Sequence, residues 1–322
     1  MTKKGGSKNI KKLILKIFGE ILFFHESLGK KGNISTRYRI DSYRKAIKSI
    51  SNYDNPIYGS NNVKDLVSIG KGMCEKIDEI ANTGTLQIYE NIKKNDHLKS
   101  FKLFQNIWGI GPQFSQELVN NNIFTLNDLR KAVKEKKILL TKQQKIGLKY
   151  YDDLNIKIPR KEILEYTNIV KRMVSSEDII IYNAGSYRLG KKESGDIDLI
   201  LSFKGKIDIN IYDKLSEIII ETLLNGENKS IFIVKLDNHG YYRKMDIAYV
   251  EEKYLPFYLL YFGSGRDFSK KIRSIASKMG YKLNEKGLFD KNSGHRINFN
   301  PKSEEEIFKY LKIEYVLPEN RK

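Results

Sequence analysis

The sequence is short of cysteine and of long apolar runs. Cys74 is its single cysteine, which excludes an intramolecular disulfide and favours a reducing compartment. No run of about 18 apolar residues occurs, so no transmembrane helix is expected. The polar, glycine-rich stretch 1–8 lacks the apolar segment of a signal peptide. These absences predict an intracellular protein of the nucleus, the cytoplasm or a virion, with no membrane partner.

Acidic residues are scarce next to basic ones. The 322 residues include 58 Lys and Arg but 39 Asp and Glu, which gives a net charge of +19. Chains this basic most often bind nucleic acid. The abundance of Lys, Ile and Asn also fits an AT-rich cellular or viral genome, which would raise the charge without a binding function. A hydrophobic fraction of 40% is sufficient for the buried cores of two or more domains.

The stretch 185–202 is the most informative in the chain. Asp196-Ile197-Asp198 opens an apolar run that is typical of a strand. Because side chains alternate between the faces of a strand, the two aspartates share one face and the apolar side chains point into a core. Adjacent carboxylates repel each other unless a cation lies between them, and oxygen ligands favour Mg²⁺ or Mn²⁺. An isolated Asp-x-Asp is often only a solvated strand end, but here the Gly185-Ser186 turn upstream can also offer N–H groups to phosphate.

Helical periodicity runs through the first half of the chain. The spacing of apolar residues predicts helices over 9–28, 36–50, 63–68, 72–81 and 85–93, and further helices within 97–150. A loop that contains Pro56 and Gly59 separates the second helix from the third. The pattern therefore predicts small, basic, all-helical domains.

Two turns in this half suggest DNA binding. Gly109-Ile110-Gly111-Pro112 lies between predicted helices and is typical of a helix-hairpin-helix. Its tight turn exposes N–H groups at a helix N-terminus, where a DNA phosphate can bind. Val67-Ser68-Ile69-Gly70 is interpreted as a degenerate first copy, with serine in place of the first glycine. Two such turns in a basic chain are more specific than one.

Helices and strands alternate after Pro159. The predicted elements are a helix at 162–174, strands near 179–184 and 196–203, a helix at 211–225, and strands near 230–236 and 242–250. The turn 237–240 joins the last two strands as a hairpin. The remainder is predicted to combine helices at 256–262, 267–279 and 303–313 with short strands. This half is predicted to be an α+β domain whose sheet carries the carboxylates.

The stretch 185–202 resembles the catalytic signature of nucleotidyltransferases, and most closely that of the family X DNA polymerases of the polymerase β type. Further segments resemble the same family in the same order, from about residue 10 to 320: 42–46, 75–79, 109–112, 145–150, 158–160 and 243–247. Nothing before residue 10 resembles a BRCT domain, so the compact arrangement within this family is expected.

The resemblance implies a multi-domain fold. All-α helix-hairpin-helix lyase and fingers-type domains would precede an α+β nucleotidyltransferase palm and a small α+β C-terminal subdomain. The implied bounds are 1–95 for the lyase-like domain, 96–160 for the DNA-binding subdomain, 161–252 for the palm and 253–322 for the subdomain that binds the nascent base pair.

The resemblance also implies the site residues. The catalytic positions are the metal-binding Asp196, Asp198 and Asp246, and Lys76 as the Schiff-base lysine. The nucleotide-binding positions are Gly185, Ser186, Arg188, Ser194, Gly195, Lys157, Tyr261, Phe262 and Ser269. The DNA-binding positions are Arg39, Tyr43, Lys64, Gly70, Gly109, Gly111, Lys244 and Arg273. The implied cofactors are two Mg²⁺ or Mn²⁺ ions in the palm and a monovalent cation at the helix-hairpin-helix motifs.

Three positions depart from the family pattern. Gly72 and Ile88 stand where basic residues are expected, which thins the phosphate pocket around Lys76. Leu189 replaces the second of two arginines that follow the Gly-Ser turn. A leucine cannot donate to phosphate, so Lys191 or Lys192 is predicted to take over that contact, with a weaker grip than an arginine.

The implied function is DNA-directed DNA synthesis that fills short gaps in base excision repair, with 5′-deoxyribose-phosphate lyase activity. The implied partners are gapped or nicked DNA and a dNTP, with a repair protein such as a ligase, and the implied state is a monomer. A template-independent or RNA-related nucleotidyltransferase is one alternative, against which Tyr261-Phe262 resembles the sugar-discriminating pair of template-dependent members. A gap-binding protein with weak catalysis is the other, and retention of all three aspartates argues against it.

Overall fold

The computed structural model describes residues 9–28, 34–174, 176–205 and 210–321, so the predicted absence of a signal peptide at 1–8 lies outside the described residues. The chain divides into two compact units, with the boundary between Leu148 and Lys149. Within the described ranges, no helix is both long and apolar enough to cross a bilayer.

The first unit is helical. Its helices are α1 Lys11–Ser27, α2 Ile34–Ser51, α3 Lys71–Thr83, α4 Gln87–Lys93, α5 Asp96–Gln105, α6 Pro112–Asn120, α7 Leu126–Lys134 and α8 Lys142–Lys149, which ends at the boundary. The apolar faces of α1, α2 and α3 meet in one core, where the Phe18 and Tyr43 rings contact edge to face at 5.3 Å. Because the apolar spacing matches the helical period over these segments, the corresponding predictions are confirmed.

The helix predicted over 63–68 is wrong. A short 3₁₀ turn at Ser60–Asn62 is followed by non-helical turns that end at Ser68, whose φ of 70° lies outside the helical region. Asp78 fixes the start of this segment, since its carboxylate accepts hydrogen bonds from the Ser60 N–H and Oγ at 2.7 Å each. Local spacing cannot reveal a tie of this kind to a distant helix.

The two predicted hairpin turns have the same backbone. Ser68 and Gly109 are both left-handed, with φ of 70° and 86°. The residues two positions later, Gly70 and Gly111, are both extended and cap α3 and α6 with φ of −86° and −93°. Ser68 therefore adopts the conformation for which glycine is preferred, and the prediction of a degenerate first copy is confirmed.

The second unit mixes helices with strands. Its helices are α9 Tyr151–Leu154, α10 Arg160–Met173, α11 Gly185–Arg188, α12 Ile211–Lys214, α13 Leu255–Phe262, α14 Arg266–Lys278 and α15 Glu304–Tyr310. Its strands are β1 Ile158–Pro159, β2 Ile179–Asn183, β3 Glu193–Ser194, β4 Ile197–Phe203, β5 Ile219–Asn225, β6 Lys229–Val234, β7 Arg243–Glu251, β8 Tyr281–Asn284 and β9 Gly287–Asp290. The predicted order of helical domains, α+β domain and small α+β subdomain is confirmed.

The main sheet has the strand order β2-β4-β7-β6-β5 among the described residues. Strands β4 and β7 are parallel, and the other neighbours are antiparallel. Leu199 and Ile247 face the helix α10 within one core, as the alternation predicts. Ile200 and Ala248 point to the opposite face, where Tyr258 of α13 covers them. The aspartates of β4 and β7 lie on this second face.

The helix predicted over 211–225 is wrong. After the single turn of α12, the chain forms the edge strand β5, which pairs with β6. The segment contains consecutive β-branched isoleucines, Ile218 to Ile220, which favour a strand. Its apolar spacing fits either structure, and pairing with a neighbouring strand decided between them.

Candidate functional site

Three aspartates meet at the start of two neighbouring strands. Asp198 of β4 lies directly opposite Asp246 of the parallel strand β7. Asp196 immediately precedes β4, and the Lys244 ammonium contacts both Asp196 at 2.9 Å and Asp246 at 3.0 Å. The fold therefore places the Asp-x-Asp pair on one face, as predicted, and the third carboxylate on the neighbouring strand.

Two lysines neutralise this cluster in part. Lys229 of β6 contacts the second oxygen of Asp246 at 2.6 Å, while Lys244 bonds the first. Burial disfavours the Lys244 ammonium, but Asp246 and Asp196 outweigh it and raise the pKa of Lys244, so this lysine stays charged. The Lys244 side chain is 17% exposed and its ammonium pairs with these carboxylates, and its predicted contact with DNA stays a prediction.

Of the three aspartates, Asp198 is the one whose ionisation is least favourable. Burial, followed by the charges of Asp196 and Asp246, raises the pKa of Asp198 to about 7. Lys244 and Lys229 oppose this shift but bond the other two aspartates. Within the described ranges no Lys or Arg side chain forms an ion pair with Asp198, so an added cation would be favourable beside this buried carboxylate.

The donor chemistry of the cluster fits Mg²⁺ or Mn²⁺, since carboxylate oxygens are the ligands that these ions prefer. In the described part of the chain, however, no set of three acidic, His or Cys side chains is gathered as a ready metal site. The ammonium groups of Lys229 and Lys244 contact both oxygens of Asp246 and one oxygen of Asp196.

Gly185 allows the Gly185-Ser186 turn, which is predicted to bind phosphate, to approach the aspartates. It has a φ of 51°, and a Cβ at this position would lie 1.9 Å from an Asp198 carboxylate oxygen. Only glycine therefore fits between the turn and β4. Ser186 follows in the single helical turn α11, so the predicted turn and the carboxylates are adjacent.

A second group of predicted residues surrounds Ser194. The short pairing of β1 with β3 sets Ile158 against Ser194 and brings Lys157 to Gly195, where an added Cβ would be 3.6 Å from the lysine Nζ. Ser194 is buried, and among the described residues its hydroxyl has no hydrogen-bond partner. An unpartnered hydroxyl, with an ammonium group close to the next residue in the chain, is suited to an oxyanion such as phosphate.

Arg188 is engaged elsewhere. Its guanidinium forms an ion pair with the buried Glu304, which also contacts the fully buried Arg321 at 2.5 Å. Gly263 makes room for it, because a Cβ there would lie 2.6 Å from the Arg188 side chain. The partner of Arg188 here is a carboxylate, and its predicted contact with nucleotide stays a prediction.

Leu189, the position of the missing arginine, is buried. Lys191 and Lys192 are exposed. Among the described residues, neither ammonium group forms a hydrogen bond or an ion pair. Their predicted role as substitutes stays a prediction.

The predicted base-pair residues lie around one small cavity. It is lined by Phe257, Leu260, Tyr261, Ser269, Ile272, Arg273, Leu283 and Asn284. The Arg273 guanidinium lies over the Tyr261 ring at 5.7 Å, and its Nε donates to the Ser269 carbonyl at 2.9 Å. The Phe262 ring meets Tyr261 edge to face at 5.0 Å. Tyr261, Phe262, Ser269 and Arg273 are thus brought together.

In the first unit, the predicted lysine nucleophile borders a groove of ≈ 770 Å³. Lys76 Nζ donates to the Gly72 carbonyl one turn earlier, at 2.9 Å. The groove is also lined by His25, Tyr38, Arg39, Tyr43, Lys45, Ser68, Gly70, Lys71 and Ile88. The predicted Arg39, Tyr43, Gly70 and Lys76 therefore share one groove. Lys64 is exposed and follows the 3₁₀ turn Ser60–Asn62, and it is not one of the residues that line this groove.

Sequence reasoning missed Lys229 and Glu304. The contact between Lys229 and Asp246 depends on the pairing of β6 with β7, and Glu304 meets Arg188 across 116 positions of sequence. The predicted hairpin of β6 and β7 was the one sequence signal for the contact between Lys229 and Asp246. No local pattern in the sequence indicates the contact between Arg188 and Glu304. His25, for which the sequence offers no ligand spacing, lines the groove of Lys76.

Four family models match the chain in sequence order. They are a helix-hairpin-helix domain over residues 9–86, the fingers domain of DNA polymerase lambda over 102–155, the DNA polymerase beta palm over 157–252 and the DNA polymerase beta thumb over 258–322. The aspartate cluster lies in the palm match, and Lys76 lies in the helix-hairpin-helix match.

Three relatives match most of the chain. DNA polymerase lambda of Arabidopsis thaliana is 27% identical over 96% of this chain and 61% of its own length. DNA polymerase lambda of Rattus norvegicus is 27% identical over 92% and 55%, and the DNA nucleotidylexotransferase of Xenopus laevis is 26% identical over 88% and 64%. The chain thus spans less than two thirds of these relatives. The palm and thumb of the polymerase β type, with lambda-type fingers and the aspartate cluster, identify the chain as a member of the family X DNA polymerases.

Proposed function

We propose that this protein is a DNA polymerase that fills short gaps during base excision repair. The observation that carries the proposal is the cluster of Asp196, Asp198 and Asp246 beside the Gly185 turn. Such an arrangement suits nucleotidyl transfer, in which charge develops on the attacking hydroxyl, the phosphoryl group and the leaving pyrophosphate. The net charge of +19 supports a nucleic-acid substrate.

The three aspartates would hold two Mg²⁺ or Mn²⁺ ions. Bound ions of this kind lower the pKa of the primer 3′-hydroxyl and neutralise charge on the triphosphate. Asp198 binds in its ionised form, which its raised pKa disfavours until a cation is near. Lys244 keeps Asp196 and Asp246 directed to the same side, and its release from them would accompany loading of the site.

Residues of the chain would also orient the nucleotide. The hydroxyl of Ser194 and the ammonium of Lys157 are suited to the β- and γ-phosphates, with Ser186 and Gly195 nearby in the same turns. Tyr261, Phe262 and Ser269 would contact the sugar and base, and Arg273 the template strand. These assignments, the domain bounds, the monovalent cation at the hairpins, the monomeric state and the ligase partner stay predictions.

The first unit would add 5′-deoxyribose-phosphate lyase activity. Lys76 Nζ would add to the C1′ aldehyde of the ring-opened sugar and release water to form a Schiff base. Loss of a C2′ proton would then break the C3′–O3′ bond and free the 5′-phosphorylated strand. Arg39, Lys45 and Lys71 supply positive charge around the same groove, which favours a 5′-phosphate ligand.

Template-independent addition is a second candidate, because a relative named DNA nucleotidylexotransferase matches 88% of the chain. The two functions differ in their substrates. A gap-filling enzyme extends a one-nucleotide gap with the complementary dNTP, whereas a template-independent enzyme extends single-stranded primers with any dNTP.

Primer extension with Mg²⁺ tests both candidates. We expect the wild type to fill the gap with the complementary dNTP, and Asp196→Asn or Asp246→Asn to reduce the rate by at least about 1000-fold, as loss of charge stabilisation in the transition state requires. Asp237→Asn, an exposed carboxylate of the β6–β7 turn, is the matched control and should retain full activity. Full activity of an Asp246 variant would refute the assignment, and extension of single strands alone would favour the second candidate.

Borohydride trapping tests the lyase. Wild type should become linked to DNA with a 5′-deoxyribose phosphate, and Lys76→Ala should lose this while it still fills gaps. Lys71→Ala, which changes another lysine of the groove, is the control. Normal trapping by Lys76→Ala would exclude this nucleophile, and loss with Lys71→Ala alone would assign the role to Lys71.

A further inference from the structure

The segment 130–145, which runs from α7 through a loop into α8, is more basic than the chain as a whole. Seven of its 16 residues are Lys or Arg, against 58 of 322 in the full sequence, and Glu135 is its single acidic residue. All seven basic residues are exposed. A lysine-rich genome would raise the charge of all segments alike, so a local excess of this size favours a binding surface.

Only part of this charge is neutralised. Lys137 forms an ion pair with Glu135 at 2.7 Å, and Lys131 lines the same groove as both of them. Four other ammonium groups of the segment form neither an ion pair nor a hydrogen bond with any described residue; they belong to Lys134, Lys136, Lys142 and Lys145. These four charges are available to an anionic partner.

The helix α8 brings two of these lysines close to the second hairpin turn. A Cβ added to Gly109 would lie 3.2 Å from the Gln144 nitrogen and 3.4 Å from the Gln143 Cβ. Lys142 and Lys145 flank these two glutamines in sequence. Because the turn at Gly109 is predicted to bind a DNA phosphate, the two ammonium groups extend a site that already favours that ligand.

The loop between the two helices displays an apolar side chain. Ile138 and Leu140 are buried, whereas Leu139 between them is 82% exposed. Thr141 and Gln144 cap each other at the start of α8, with the Thr141 N–H donating to Gln144 Oε1 at 2.9 Å and the Gln144 N–H to Thr141 Oγ1 at 3.3 Å. The loop is therefore anchored on both sides of Leu139, which stays in solvent.

One other large apolar residue of the described ranges is as exposed, and it also accompanies a hairpin. Val67 is 82% exposed and directly precedes Ser68, the left-handed residue of the first hairpin turn. Leu139 precedes the helix that packs on the second. A single exposed apolar residue is ordinary, but an apolar side chain among phosphate contacts is also how proteins contact the groove of a duplex.

We propose that Lys134, Lys136, Leu139, Lys142 and Lys145 form a DNA-binding surface that continues the phosphate contact of the Gly109 turn along double-stranded DNA. The lysines bind phosphates, and Leu139 packs against the sugars of a groove. The inference rests on the proposed DNA substrate and adds a surface outside the aspartate cluster and the groove of Lys76. Its continuity with the hairpin favours DNA over an acidic protein segment.

The test compares two triple variants of the full chain that lose the same charge. The first is Lys136→Gln with Lys142→Gln and Lys145→Gln. The control is Lys302→Gln with Lys309→Gln and Lys312→Gln, three exposed lysines of the second unit. Each set contains one left-handed lysine, since Lys136 and Lys312 have φ of 58° and 56°.

Fluorescence anisotropy with a gapped duplex, between about 50 and 200 mM salt, gives the slope of log K against log salt. We expect the first variant to make this slope shallower by about 2–3, close to one for each lost phosphate contact, and the control to leave it unchanged. Leu139→Ser should weaken binding by about 5-fold, as loss of a partly buried leucine does, without changing the slope, because an apolar contact releases no counterions.

Equal changes of slope in both triple variants would show that only the net charge matters, which overturns the proposal. An unchanged slope in the first variant would also overturn it, and if that variant had lost the binding of poly-L-glutamate seen in wild type, the surface would belong to an acidic protein partner. Gap filling by the wild type separates this inference from the proposed function. A slope that depends on these lysines without gap filling would refute the polymerase and leave the surface, whereas gap filling with an unchanged slope would do the reverse.

Discussion

At the scale of single residues, the three aspartates are not equivalent. Asp246 has an ammonium group on each oxygen, and Asp196 shares one of these. Asp198 is mainly repelled by its neighbours, which is why its pKa is raised. Removing one or another of these charges should therefore change stability in opposite directions, whereas the sequence alone favours relief of repulsion at all three.

We predict that Asp198→Asn raises the free energy of unfolding of the metal-free protein at pH 8 by about 1 kcal/mol or more, since each unit of pKa shift corresponds to about 1.4 kcal/mol. The folded-state pKa of Asp198 lies above its unfolded value, so the protonated form stabilises the fold at low pH and this contribution is lost as pH rises through about 7. The gain over wild type should hence be larger at pH 8 than at pH 5. Urea denaturation in EDTA at the two pH values measures it.

Asp246→Asn is the matched comparison. It removes the carboxylate that pairs with Lys229 and leaves the mostly buried Lys244 with Asp196 alone. We expect it to lower the free energy of unfolding by about 1–3 kcal/mol, the cost of weakening a partly buried set of ion pairs. Equal effects of the two substitutions would contradict the arrangement of lysines described above.

At the scale of elements, the two hairpin turns show how one backbone tolerates different residues. Gly109 is packed against α8, where an added Cβ would lie 3.2 Å from the Gln144 nitrogen. The next turn of α8 contacts the hairpin through Gly147, since a Cβ there would lie 2.0 Å from the Trp108 carbonyl oxygen. Ser68 has the same left-handed backbone but is exposed. Glycine is therefore required at 109 for two reasons and preferred at 68 for one.

We predict that Ser68→Gly raises the free energy of unfolding by up to about 1 kcal/mol, since relief of the left-handed conformation is partly offset by the flexibility of an unfolded glycine. Gly109→Ala should lower it by about 1–2 kcal/mol, from left-handed strain together with the close contact to α8. Urea denaturation of the two variants beside wild type measures both effects. Stabilisation by the alanine, or marked destabilisation by the glycine, would contradict the shared geometry.

At the scale of the whole molecule, the charge of +19 is the dominant property. It can reflect a DNA-binding surface or only a lysine-rich genome. The groove of the first unit favours the former, because it gathers Arg39, Lys45, Lys71 and Lys76. Cations gathered in one groove bind a polyanion more strongly than scattered ones.

We predict a steep dependence of DNA affinity on salt. If about 5 phosphates are neutralised, the slope of log K against log salt should be about −4.5 on duplex DNA. Fluorescence anisotropy with a gapped duplex between 50 and 200 mM salt, at fixed pH, measures it. A slope near zero would assign the charge to genome composition. A 5′-phosphate in the gap should tighten binding, and Arg39→Ala should remove most of that gain.

The sequence by itself determined the order of helical and mixed domains and the faces of β4. These depend on local patterns. The alternation after Asp196 predicts which side chains of β4 are buried, and the glycine at 109 predicts a left-handed turn. The prediction of Asp246, by contrast, depended on the resemblance of 243–247 to the family and not on a local pattern.

Tertiary structure alone decided the remaining features. The segment 219–225 became an edge strand because it pairs with β6, which its own spacing does not specify. Chain folding brings together Arg188 and Glu304, Lys229 and Asp246, and the residues His25 and Lys76 of one groove. A side chain's partner is set by the lowest free energy of the assembled fold, in which burial and charge act between distant segments, so no local pattern could record it.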